Sequence, residues 1–134
     1  MIKRILAALA LSITASICFA QTPPSPFQPL GPTVTFTANL SGSIPTPVQA
    51  VGSAITLTQY IITNTGTVSV WVAYGNTSAA ATTACVIPTS PPNTNTIPIL
   101  PLAAYVVTLP PNYWFCGITS SSTAAVYVTP GLGV

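Results

Sequence analysis

The sequence predicts an all-β fold, an antiparallel β-sandwich or jelly-roll built as a single domain, with an extended proline-rich N-terminal arm. Three observations lead there. Short runs of Val, Ile, Thr, Tyr and Trp recur about every ten residues. Gly, Pro and Asn separate them, and all 15 prolines lie beyond residue 20. Polar and apolar residues alternate at period two in the first of these runs, and helix is indicated almost nowhere.

Taken from the N-terminus, Met1-Ile2-Lys3-Arg4 followed by an apolar stretch from Ile5 to Ala20 has the pattern of a bacterial export signal. Ala20, with Cys18 two positions before it, supplies a signal-peptidase site that leaves Gln21 as the new N-terminus. Lipid attachment at Cys18 is disfavoured because Ile17, not a small residue, precedes it. The apolar run is shorter than the roughly 20 residues a membrane span needs. The alternative is a retained hydrophobic N-terminal helix used in assembly. In residues 21–32, prolines at 23, 24, 26 and 29 favour extended, solvated backbone, which makes this stretch an arm. Residues 33–134 form the β domain, and they suit one domain rather than two.

Within that domain, Thr33-Val34-Thr35-Phe36-Thr37-Ala38 places Val34, Phe36 and Ala38 on one face of a half-buried strand. Further strands are expected at 47–51, 58–64, 68–74, 84–87, 96–100, 104–109, 113–119 and 123–129. Asn64-Thr65-Gly66-Thr67 sits between two β-prone runs and predicts a tight hairpin whose strands pair antiparallel, with Gly66 supplying a positive φ. The run at 68–74 is apolar at nearly every position, so it belongs in mid-sheet with both faces covered, and Trp71 is the expected core anchor. Prolines 88, 91, 92, 98, 101, 110 and 111 belong at strand ends, edges and connections. They also serve as edge protection, because the chain has no Lys or Glu there to discourage edge-to-edge pairing.

The charge inventory bounds the function. Lys3 and Arg4 are the only charged side chains, and the chain has no Asp, Glu or His. A serine or cysteine nucleophile therefore has no base, and no catalytic, cofactor-binding or metal site is expected. Without Lys or Arg beyond position 4 there is no counterion release to drive nucleic-acid binding and no basic patch for an anionic membrane. Cys85 and Cys116 are the two cysteines outside the leader, and in an exported protein they are expected to form a disulfide; two buried free thiols are the alternative. Asn39-Leu40-Ser41 and Asn76-Thr77-Ser78 match the glycosylation sequon but read as ordinary turn residues. The expected partners are proteins, reached through self-association or assembly.

The segments YIITNTGTVSVWVAYG (residues 60–75) and IPILPLAAYVVTLPPNYWFCGITSSSTAAVYVTPGLGV (residues 97–134) resemble small β-rich proteins of tailed bacteriophages and prophages. The shared features are an N-x-G-T hairpin, a proline-flanked strand and a terminal TAxVYVTPGxG signature. The resemblance implies a virion-associated protein that decorates the head or joins the tail apparatus, with no catalytic residue to carry over. The leader departs from that pattern, and it points instead to an exported periplasmic or surface subunit of fimbrial type. A third reading is a secreted glycan-binding module, in which Tyr113 or Trp114, with Trp71 and Tyr74, offers a ring face to a sugar. Tyr113 and Trp114 are adjacent and must point to opposite faces of their strand.

Overall fold

The computed structural model describes residues 26–53, 56, 58–88 and 95–133, so the leader and residues 21–25 of the arm lie outside the described residues. Within them the protein is nearly all β. In chain order the elements are β1 (Gln28–Pro29), β2 (Val34–Leu40), β3 (Val48–Gln49), β4 (Thr58–Asn64), β5 (Val70–Gly75), α1 (Ser78–Ala84), β6 (Thr96–Ile99), β7 (Ala104–Leu109), β8 (Trp114–Thr119) and β9 (Ala124–Leu132). Hydrogen bonding links seven strands in the order β6-β5-β8-β2-β9-β4-β7, with β1 added to β9 and β3 to β8.

β2 joins the two halves of this path. From Val34 to Ala38 it pairs antiparallel with β9, and at Asn39 and Leu40 it passes to β8, the one parallel pairing among the described strands. The sheet curls on itself into a nearly barrel-like form, so that Tyr60 of β4 meets Phe115 of β8 with ring centroids 5.0 Å apart and planes tilted by 57°. Such a tilted pair contributes about 0.5–1.5 kcal/mol beyond the area it buries. Alternation selects the inward residues: Thr58, Tyr60, Ile62 and Asn64 of β4 are buried, and Phe36 and Ala38 of β2 obey the period read from the sequence. Tyr60 and Phe115 are the largest fully buried side chains. Trp71, the expected anchor, is only part-buried and points away from this core, because its neighbours Val70 and Val72 take the inward positions.

β5 has both faces covered, as its unbroken apolar run predicts; the outer cover is the helix α1, and the strand expected at 84–87 does not form, since Ala84 ends the helix and residues 85–87 are irregular. Thr77 caps α1 by accepting a hydrogen bond from the Ala80 N–H at 3.1 Å. The alanines that follow lose no side-chain entropy on becoming helical, a preference outweighed in the sequence reading by the β-prone Val86 and Ile87. Gly75 lets the helix approach closely, since a Cβ there would lie 2.6 Å from the Ala81 nitrogen. Ala81, Ala84 and Cys85 then pack on Ala73, Cys116 and Ile118, forming a second small core. Cys85, at the helix C-terminus, is joined to Cys116 of β8 by a disulfide spanning 5.9 Å between Cα atoms. With 31 residues of sequence separation between the two cysteines, closing that loop stabilises the fold by roughly 3.5 kcal/mol in the chain-entropy model.

The expected hairpin at residues 64–67 does not form. β4 pairs with β7 and β9, whereas β5 pairs with β6 and β8, so the connection arches from one half of the sheet to the other. Gly66 is not among the glycines of positive φ; its role is space, because a Cβ there would come within 2.5 Å of the Ala124 Cβ. The arch is held by the buried Asn64 side chain. Its Nδ2 donates to the carbonyls of Val68 (2.8 Å), Leu100 (3.0 Å) and Ile99 (3.2 Å), and its Oδ1 accepts from the Gly66 N–H at 2.9 Å. The Asn64 N–H also donates to Ala103 O, and the Leu102 N–H to Gly66 O. One amide thus ties the β4–β5 arch to the β6–β7 turn, where the two ends of the sheet converge. Near the N-terminus, residues 28–30 of the proline-rich arm run along the end of β9 with their side chains still largely exposed: Gln28 and Pro29 pair with Leu132 and Gly131, and the Leu30 N–H reaches Pro130 O.

Asn64→Ala removes a donor from each of these carbonyls and the acceptor of the Gly66 N–H, and is expected to lower the unfolding free energy by about 3–5 kcal/mol in a denaturant titration. Asn64→Asp sets a carboxylate against three carbonyl oxygens, which raises its folded pKa above the unfolded value of about 4. That variant should be weakest at neutral pH and recover as pH falls from the raised folded value towards 4.

Candidate functional site

The residues singled out in the sequence fall on opposite sides of β8. Tyr113, just before the strand, packs on the main core beside Tyr74, with ring centroids 6.3 Å apart, and its N–H donates to the Tyr60 hydroxyl at 3.4 Å. Trp114 faces the other way, against the small core under α1, as does Trp71. Tyr113 and Trp114 are both half-buried and form no common ring platform. Cys85 and Cys116 are brought together, and as a buried disulfide neither sulfur is a nucleophile. A shallow depression of about 450 Å³ beside α1 is lined by Ala79, Ala80, Thr83, Ala84 and Asn95, none of them ionisable.

Strand alternation reveals a more distinctive surface. α1 covers the outer face of β5 and β8, and Phe27 packs over Gly131 at one end of β9, but among the described residues no helix or strand lies across the rest of the outer face of β2, β9, β4 and β7. Registration across that face sets Ala104, Thr63, Tyr127 and Thr35 in one row, and Val106, Ile61 and Thr129 in the next. β7 closes this half as a free edge. The large apolar side chains around it are open to solvent: Leu102 is 74 % exposed, Leu100 65 %, Tyr105 48 % and Val106 37 %.

Hydrogen-bond parity shows which backbone groups this edge offers. The Asn64 N–H donates to Ala103 O, so residues 103, 105, 107 and 109 turn their backbone groups toward β4. Ala104, Val106 and Thr108 therefore turn theirs outward, and no pairing among the described residues uses them. The opposite edge differs. The Tyr74 N–H donates to Asn95 O, so Thr96 and Pro98 of β6 face outward, and the proline removes a donor there. One edge is closed by proline, as the sequence anticipated, and the other is open. Side-chain patterning did not single out the open edge, because its signal is the parity set by a single backbone hydrogen bond.

Among the described residues no side chain carries a formal charge near neutral pH. Burial pushes the Tyr60 phenol above its ordinary value of 10.0, a rise opposed by the Tyr113 N–H. Tyr60 donates to Pro110 O at 3.1 Å, which anchors the β7–β8 turn, while the buried Thr58 hydroxyl completes no hydrogen bond of its own.

No protein-family model, curated protein or solved structure matches this chain.

With no carboxylate or imidazole side chain in the sequence, the melting temperature is expected to stay level from about pH 4 to pH 9. Above about pH 10 the unfolded chain ionises its tyrosines while the fold keeps Tyr60 protonated, so stability should fall as pH rises from the unfolded value toward the higher folded one. A calorimetric pH series tests both limbs, and a transition between pH 5 and 8 would contradict them.

Proposed function

We propose that this chain is a non-enzymatic building block that works by fitting against protein neighbours in a larger assembly. Within that class we assign it to virion-associated subunits of head-decoration or tail-accessory type. The observation that carries the first statement is the open β7 edge, with its exposed Leu100, Leu102, Tyr105 and Val106, on a chain without a charged side chain beyond Arg4. A free monomer gains nothing from such an edge, whereas a subunit covers it on assembly. The virion assignment rests on the resemblance of residues 60–75 and 97–134 to small phage proteins. The two facing halves of the sheet are read as the layers of a sandwich joined through β2. The exported surface subunit is the second reading, favoured by the basic and apolar pattern of residues 1–20.

Mass spectrometry of density-purified particles from a host carrying the gene tests the assignment. Peptides from residues 33–134 are expected to band with the particles. Recovery only from the periplasm or cell surface would overturn the virion assignment in favour of the surface subunit. Reproducible turnover of a substrate by the pure, metal-free protein would overturn the non-enzymatic reading itself.

A further inference from the structure

We propose that β7 pairs antiparallel with β7 of a second copy of this chain, about a two-fold axis through Val106, joining two sheets into one. The inference rests on the reading of the chain as an assembling subunit, and it names that subunit's first partner. The outward-facing residues Ala104, Val106 and Thr108 are symmetric about Val106. With the axis there, Val106 faces its own copy, and Ala104 of each chain faces Thr108 of the other. Each of these outward-facing pairs exchanges two N–H···O bonds, so every backbone group that β7 turns outward finds a partner.

The flanking sequence obeys the same symmetry. Leu102 would lie opposite Pro110, and Pro101 opposite Pro111, so prolines end the ladder at equal distances from the axis. On the outer face the two Val106 side chains meet with Ile61 beside each, and on the inner face Tyr105 meets Val107. Those contacts cover the exposed Tyr105 and Val106. Neither copy carries a charge on this surface, so no repulsion opposes the pairing, and Pro98 disfavours the same event at β6.

Sedimentation of the full chain across a concentration series, with melting temperature as the fold control, tests the proposal. The wild type is expected to dimerise. Val106→Pro removes the N–H that points off the edge but none that β4 uses, so it should weaken the dimer at least about tenfold and leave the melting temperature nearly unchanged. Val106→Lys places like charges together on the axis, and its dimer should be weak at low salt and partly restored at high salt. A wild type that stays monomeric up to about 1 mM, or a folded Val106→Pro variant that dimerises as tightly as wild type, would overturn the pairing. Particle incorporation is read separately. A chain present in particles without β7 pairing sinks only this inference, and a β7-paired dimer absent from particles sinks only the virion assignment.

Discussion

The amide of Asn64 is the constraint on which the architecture depends. A curled sheet with unjoined edges must bring its two ends together somewhere. Here that happens at one buried side chain, which holds three carbonyls from the β4–β5 arch and the β6–β7 turn. Asparagine suits the position because it donates through one end and accepts through the other without charge. A leucine there would leave polar backbone buried without partners. The interaction also explains why the chain crosses between halves at residue 65 instead of turning back. Once Asn64 has turned to Val68, Ile99 and Leu100, β5 starts on the far side of the core, beside β6 and β8.

A protein without carboxylates, imidazoles or ammonium groups in its domain must manage its surface by other means. Most β proteins place lysine on an exposed edge; this one uses proline on β6 and leaves β7 without an equivalent. The same poverty of charge leaves packing, backbone pairing, uncharged side-chain hydrogen bonds and a disulfide as the stabilising terms among the described residues. The disulfide does not reinforce the main core. It fastens α1 to β8, where a seven-residue helix with no charged cap residue has little independent stability.

Much of the fold was legible in the sequence because period-two alternation is a local signal. The runs at 58–64 and 104–109 coincide with β4 and β7, and Phe36 and Ala38 face inward as their alternation requires. The cysteine pair followed from counting. What escaped depends on distance in space. Asn64-Thr65-Gly66-Thr67 has hairpin chemistry, yet the partner that decides its course is a set of carbonyls more than 30 residues further along the chain. Trp71 was misjudged because size alone does not say which face of a two-sided strand meets the larger core. α1 escaped because its cap and alanines are weak cues beside the strong β propensity of their neighbours. The adjacency rule placed Tyr113 and Trp114 on opposite faces, whereas the open edge required a backbone hydrogen bond that no residue pattern encodes.

The pairing of β1 with the end of β9 also gives the domain a direction. Gln28 and Leu132 lie side by side, at the end of β4 occupied by Gln59. The Asn64 arch and the Leu100-Pro101-Leu102 turn lie at the far end of the same strand. A domain tethered through either terminus therefore hangs from one pole and presents that greasy turn outward at the other. Any neighbour approaching from beyond the anchor would touch Leu102 first.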